Sequence, residues 1–306
     1  MNSPIAYPLG APKLTGSTLT VDAALNQPQL ITQRIADLTK QKFIVDKVFA
    51  SSGFSVAGGA VLYEVAAPGN EYLSRDIEAV APGNEYPIVS SGRPETAIAN
   101  AEDYGGKFFV SDAAKIRNDK RVMDRDVTAL ANTIVRKVNT RTVATIEAAL
   151  TKYHETGENN LIVTGHSWTD AITVGPAAEL TPSGSLPAAD FATAQWLADI
   201  DEMGLTFDLW IVHPNELKAL KIAYGSELEK VLASNGIELF STNRMAPGTA
   251  YAVDTGEVGF ISYEQGLTTE TWREQKTKRT WVQSWAIPLM GVSNPQAIRK
   301  FTGLAA

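Results

Sequence analysis

The stretch DKRVMDRDVTALANTIVRKVNTRTVATIEAALTKYH, residues 119–154, contains neither glycine nor proline. Its apolar positions Val127, Leu130, Ile134, Val138, Ile146, Leu150 and Tyr153 recur in steps of three and four. Ala131, Val135 and Ala149 flank them, so one stripe of a helix is apolar. Arg125, Arg136, Lys137, Arg141 and Lys152 occupy the other faces. Acids at Asp119, Asp124 and Asp126 suit the positive N-terminal end, and Gly157 suits a stop. At 1.5 Å per residue the helix spans roughly 50 Å, more than a small domain is wide. A coiled coil is the alternative, but the heptad breaks at Thr142 and Val143. The expected element is a spine packed on a sheet.

The 306 residues around this helix allow one large or two modest domains, with about three-quarters of the unfolded surface buried. Apolar residues make up 44% and charged residues 20%, the composition of a folded chain. Cysteine is absent, which excludes disulfides, thiol nucleophiles and thiolate metal sites and suits a reducing compartment. The first residues lack a basic start and a long apolar run, so no signal peptide is expected. No stretch is long and apolar enough to read as a membrane-spanning helix.

The net charge of −7 is unevenly spread. Residues 1–60 carry +2, 61–110 carry −5 and the spine region 111–156 carries +3. Residues 157–272 hold 16 acids against four bases, and 273–306 return +5. Alternating acidic and basic blocks suggest surfaces that meet other copies of the chain.

Upstream of the spine, residues 1–27 are rich in Pro, Ser, Thr and Ala and read as an extended arm. Pro28 opens a short helix to about Gln41, and Phe43, Ile44, Val45 and Val48 read as a buried connector. Residues 53–92 alternate like strands at 59–65, 72–80 and 86–90. They are interrupted by Ala-Pro-Gly-Asn-Glu-Tyr at 67–72 and again at 81–86. Pro-Gly-Asn is turn chemistry, because proline presets φ and glycine supplies φ > 0. Few large apolar residues fall here, so the stretch reads as a projecting β-hairpin that needs a neighbour to lie on. Gly105-Gly106 read as a turn before a strand at 107–110.

Downstream, a Gly/Pro-rich passage with a strand at 161–164 leads to a compact unit. It comprises a helix at 188–202 ended by Gly204, a buried strand at 207–212, and a helix opened by Pro214. Ser226 with Glu229 reads as a capping box for another helix. Strands follow at 237–240, 249–253 and 258–262, and the alternating segment 269–284 reads as a sheet edge.

Catalytic patterns are missing. His154, His166 and His213 lie in separate segments, and His213 before Pro214 reads as a helix cap. Gly165-His166-Ser167-Trp168-Thr169 starts like a nucleophile elbow but ends in threonine. Asp199, Asp201 and Glu202 read as a solvated helix end. No phosphate loop, two-histidine helix or dinucleotide fingerprint is present, and bases are too dispersed for sequence-specific nucleic-acid recognition.

An arm, a helix, a projecting two-stranded loop, a spine, an α/β unit and a return to strands together resemble the major capsid proteins of tailed bacteriophages. Residues 42–49 (KFIVDKVF), 80–87 (VAPGNEYP), 210–214 (WIVHP), 285–289 (WAIPL) and 293–295 (SNP) are similar to that family too. The resemblance implies the α+β Hong Kong 97-type fold. Its parts here would be an N-terminal arm and short helix (1–48) and an extended β-hairpin loop (49–99). A peripheral domain (100–186 with 263–306) would carry the spine, and an axial α/β domain (187–262) would meet its copies at the capsomer centre.

The implied function is structural: self-assembly, as hexamers and pentamers, into the icosahedral head that encloses double-stranded DNA, with no enzymatic activity and no cofactor. Implied partners are other copies, packaged DNA held without sequence specificity, and portal, scaffolding or decoration proteins, with no membrane. The implied location is the virion capsid, assembled in the host cytoplasm. Because the arm starts within about thirty residues of Met1, no cleaved scaffolding segment is expected. Because no lysine lies between Lys47 and Lys107, no isopeptide weld rooted in the loop is expected. An encapsulin-like shell enclosing a cargo protein is the alternative, and a hydrolase using Ser167 with a histidine is a third reading.

In the family the loop rests on the neighbour's peripheral domain, which here holds both basic blocks. The expected contacts are Glu64, Glu71, Asp76, Glu78 and Glu85 of one copy against Arg117, Arg121 or Arg125, or Lys276, Lys278 or Arg279, of the next.

Overall fold

The 36-residue helix is there, at Lys120–Glu155, and the other elements are arranged along it. In the computed structural model the described residues are 21–39, 43–53, 56–66, 77, 79–90, 94–155 and 160–305. In chain order they form α1 (Val21–Asn26), α2 (Pro28–Thr39), α3 (Val45–Val48), β1 (Ala50–Ser51), β2 (Ala60–Val65), β3 (Glu95–Asn100) and β4 (Tyr104–Ser111). Next come α4 (Asp112–Ile116), the spine α5, β5 (Ile162–Thr164), α6 (Pro187–Ile200), β6 (Leu209–Val212), α7 (Pro214–Tyr224) and α8 (Leu228–Asn235). The last are β7 (Glu238–Ser241), β8 (Ala250–Val253), β9 (Gly259–Glu274), β10 (Arg279–Val292) and β11 (Ile298–Thr302).

The spine buries Met123, Val127, Ala131, Ile134, Val138, Ile146 and Leu150, the stripe its spacing predicts. Where that stripe drifts, Val143 is still buried, but two of the buried positions, Asn139 and Thr142, are polar. Asn139 accepts from the Ile44 amide at 2.9 Å, and Thr142 bonds back to the Val138 carbonyl at 3.0 Å. An apolar coiled-coil partner would offer the Asn139 amide oxygen no donor; the connector before α3 supplies one. The spine packs against α2, β4 and β10.

Two larger sheets share this core. One has the order β1-β9-β10-β4, the other β5-β11-β8-β6-β7. Leu209–Val212 is buried at every position and lies between β8 and β7, the interior place its continuous apolar run predicts. Trp210 packs against Phe191 at 4.7 Å and Phe301 at 5.0 Å, joining β6, α6 and β11. This second sheet draws in β5 and β11, which lie outside residues 187–262. The small third sheet pairs β2 with β3.

Several local expectations are corrected. Residues 21–26 are not extended arm but α1, because Val21, Ala24 and Leu25 find a place in the core. The hairpin's return strand is 95–100, paired Leu62↔Ile98, whereas 86–90 forms no strand. Most of the 72–80 run and the first hexapeptide copy lie outside the described residues. In the second copy, Asn84 donates to the Ala81 carbonyl at 3.0 Å and Gly83 has φ 96°, the expected turn. Gly105 and Gly106 lie within β4 rather than in a turn. A Cβ on Gly105 would stand 2.6 Å from that of Trp285, and one on Gly106 2.7 Å from Leu130, so close approach is what requires glycine.

Residues 269–284 are two strands, not one: β9 and β10 turn at 275–278, where Lys278 takes φ 48°, and β10 is interior. Ser226 falls in a 3-10 turn, and α8 begins at Leu228 with no side-chain cap, so the capping box is not formed. Asp201 is not simply solvated, since it pairs with the fully buried Arg299.

Leu150 is fully buried on the spine while Ala129 is exposed on it. Leu150→Ala should lower unfolding free energy by about 2–5 kcal/mol in urea titration. Ala129→Ser should change it by less than about 0.5 kcal/mol.

Candidate assembly surface

Among the described residues no group of side chains is arranged to hold a metal ion, and no helix is long and apolar enough to cross a membrane. His166 and His213 behave as joints. His213 caps α7, its Nδ1 accepting from the Asn215 amide at 3.2 Å. Asp190, buried in the first turn of α6, accepts from the His166 amide at 3.1 Å and Trp168 Nε1 at 2.7 Å, and holds His166 Nδ1 at 2.7 Å. Ser167 Oγ donates to Asp170 at 2.8 Å. These bonds fix the loop after β5 onto α6.

The β2–β3 hairpin is the exposed feature. Its base packs through Val56, Ala99 and Leu289, with Phe260 edge-on to Tyr63 at 5.2 Å. Beyond the base, Leu62 and Ile98 face each other across the ladder and are 66% and 65% exposed. In the connection that follows, Ile77, Tyr86 and Ile88 are 84%, 75% and 92% exposed. Large apolar groups this open on one projecting element mark an interaction surface.

Charge placement is partly within the chain. Glu95 pairs with Lys152 of the spine, and Glu102 pairs with Arg141 at 2.6 Å. Two acids of the 61–110 block thus already meet the basic spine of their own chain, one at each end of β3. Tyr104 donates to Glu102, and burial together with this bond pushes its hydroxyl up to about 12. The sequence reading missed these pairs because residues 95–102 and 141–152 are adjacent only in space.

Of the expected contact acids, Glu64 on β2 and Glu85 beside the turn are exposed; Glu71, Asp76 and Glu78 lie outside the described residues. The six bases are brought to one end of the molecule. Asp112, at the start of α4, donates its amide to the Lys278 carbonyl at 3.0 Å, and Arg279 stands opposite Ser111 in the ladder. The β9–β10 turn and the N-terminal end of the spine are therefore neighbours. Arg125 pairs with Asp126 at 3.3 Å. Arg279 pairs with Glu274 at 3.1 Å and lies over Trp281 and Phe109. Arg117, Arg121, Lys276 and Lys278 are exposed and join no ion pair among the described residues. The Arg273 guanidinium hydrogen-bonds Asp112 and holds its carboxyl below the usual range.

This architecture matches known shells. A family model described as phage capsid protein matches residues 94–301, from β3 to β11. The chain belongs to the phage capsid protein family. Its fold is similar to a virus-like particle protein from Pyrococcus furiosus (14% identity, 89% of this chain and 98% of that one, TM-score 0.52). It is also similar to the capsid of cyanophage P-SCSP1u (12%, 86% and 89%, TM-score 0.56) and that of Myoviridae phage XM1 (13%, 95% and 95%, TM-score 0.52). No curated protein matches it significantly. The fold is thus of the Hong Kong 97 type, and the chain is a structural protein of a phage capsid.

If the ion pairs anchor the hairpin to the spine, Arg141→Ala with Lys152→Ala should raise amide exchange at 60–65 and 95–100 several-fold. Each exposed pair is worth only ~0–1 kcal/mol, so the unfolding midpoint should hardly move. Unchanged exchange would show that the apolar contacts suffice.

Proposed function

We propose that the capsid protein builds the icosahedral head of a double-stranded DNA phage as hexamers and pentamers, assembled in the host cytoplasm. Packaged DNA would be held without sequence specificity, and portal, scaffolding or decoration proteins would complete the head. The carrying observation is the match to the phage capsid family over 94–301, two-thirds of the chain. We assign the axial role to the sheet containing β6 and the peripheral role to the spine with β4, β9 and β10.

In this reading the projecting loop lies on the next copy, which would cover Ile77, Tyr86 and Ile88. Its acids (Glu64, Glu71, Asp76, Glu78, Glu85) would face Arg117, Arg121, Lys276 and Lys278 of that copy, with Arg125 and Arg279 contributing through their remaining donors. Exposure of Glu64 and Glu85 on one side and of Arg117, Arg121, Lys276 and Lys278 on the other supports this pairing. Each contact is weak but recurs at every interface, so it acts on register and rate and weakens with salt. A shell enclosing a cargo protein is the second reading, favoured only by the likeness to the Pyrococcus particle.

Purified protein should form capsomers or shells of hundreds of subunits by light scattering. A stable monomer at high concentration, with a protease-resistant hairpin, would overturn the self-assembly reading. Boiled in SDS, particles should run as one band near the 32.9 kDa of the chain, and a covalent ladder would place a cross-link donor outside the loop. Asp76→Lys with Glu78→Lys should slow assembly at low salt while leaving the subunit folded by circular dichroism. Normal assembly of that variant would sink the charge-pairing idea.

A further inference from the structure

The outer face of the β9–β10–β4 sheet carries a row of aromatic rings. Trp281 stands opposite Trp272 on one side of the ladder and Phe109 on the other. Alternation along the strands sends their neighbours Val282, Thr280 and Val110 into the buried face. The Trp272 and Trp281 rings stack with centroids 6.4 Å apart, and Phe109 meets Trp281 edge-on at 5.4 Å. Even so, Trp272 is 40% and Phe109 47% exposed. Lys107 lies over the Trp281 ring at 5.0 Å and Arg279 at 5.2 Å. Arg279 already pairs with Glu274, whereas Lys107 is exposed and joins no ion pair among the described residues. Aromatic rings left open in a continuous row mark an interaction surface.

Charge decides what fits it. Glu270, opposite Gln283, and Glu274, opposite Arg279, share the face with the two cations, so a phosphate backbone would meet no net positive charge. The segment Glu85-Tyr86-Pro87-Ile88 offers two exposed apolar groups and one carboxylate, to which Lys107 is the free counterpart. Pro87 favours extended backbone at Tyr86, and extended residues two apart are separated by roughly 6.5–7 Å, close to one ring-to-ring step of the row. The order agrees as well. A chain crossing from β4 to β9 meets Lys107 beside Phe109 first, then Trp281, then Trp272. A second exposed apolar stripe, Trp196 and Ile200 on α6, has the Asp199 carboxylate between them and would repel Glu85.

The segment comes from another copy, because that of the same chain falls short. The loop leaves the hairpin where the Ala66 amide donates to the Ser293 carbonyl at 2.7 Å, and it returns at Glu95, opposite Val65. From Val292 back to Trp281 the strand β10 covers roughly 36 Å. Ile88 stands seven residues before Glu95, a reach of at most about 25 Å.

We propose that the loop of one copy crosses the aromatic row of the next, with Glu85 at Lys107, Tyr86 on Phe109 and Trp281, and Ile88 on Trp272. This inference rests on the self-assembly reading above and names the seat of the loop.

The chain has no native cysteine, so introduced thiols report without background. In assembled particles of an Ile88→Cys, Glu270→Cys double variant, mild oxidation should give a ladder of disulfide-linked multimers on a non-reducing gel. Ile88→Cys with Ile200→Cys should react about fivefold more slowly, since nothing holds that pair together. Lys107→Glu should slow assembly about fivefold at low salt, and adding Glu85→Lys should restore the rate. Cross-linking within one chain, which migrates as monomer, would overturn the proposal, as would particles that form normally without the ladder. In both cases self-assembly stands and only the seat fails, whereas an unaltered protein that never assembles overturns both. In Glu270→Cys alone, the thiol should become protected from a maleimide on assembly without DNA. Protection of unassembled subunits by a random-sequence DNA duplex would assign the face to DNA and overturn the proposal.

Discussion

Burial of one side of a 36-residue helix is the constraint on which the structure depends. A helix this long cannot bury its own stripe, and its apolar residues lie in a core that runs without a break from Val21 to Leu304. The helix therefore recruits from both ends of the chain: α1 and α2 from the start, β10 and β11 from the end. Its polar interruption at Asn139 and Thr142 sets the place of the α3 connector, because a buried amide oxygen there has to find a donor. Where the stripe becomes apolar again, Glu147 on the half-exposed side accepts from Tyr251 and from Lys300 at 2.7 Å, tying the spine to the second sheet. Burial and the bond to Glu147 push the Tyr251 hydroxyl well above its ordinary value, so this tie stays protonated at any physiological pH.

The opposite condition holds for the hairpin. Its two strands bury Val65 and Ala99, near opposite ends of the ladder, and little else is available to them. A two-stranded ribbon with exposed Leu62 and Ile98, joined by a connection with exposed Tyr86 and Ile88, gains stability by lying on something, and in the proposed shell that something is another copy. Rigidity in the core and incompleteness in the loop are thus two halves of one design. The core makes the subunit a fixed building block, and the loop leaves its last apolar contacts to assembly.

Within the chain, acids at 95 and 102 are spent on the spine, whereas Glu64 and Glu85 stay exposed. The basic groups divide in the same way, with Arg125 and Arg279 engaged locally and Arg117, Arg121, Lys276 and Lys278 left free of ion pairs among the described residues. Block charges read from sequence do not separate these two uses, because a pair across 39 or 57 residues depends on which elements are neighbours.

Periodic features were legible in the sequence. The spine stripe, the Pro28 and Pro214 helix starts, the His213 cap and the continuous strand at 209–212 are each set by neighbouring residues, through turn geometry or burial spacing. The order of those parts was enough to suggest the family. Tertiary structure alone decided the rest. Gly105 and Gly106 look like a turn until Trp285 and Leu130 are seen to need their missing side chains. Residues 269–284 look like one strand until a positive φ at Lys278 folds them into a hairpin. The two basic blocks, some 150 residues apart, become one surface because β4 and β10 pair from Tyr104 to Ser111. Local chemistry determines which elements form; long-range packing and strand pairing decide which of their side chains meet.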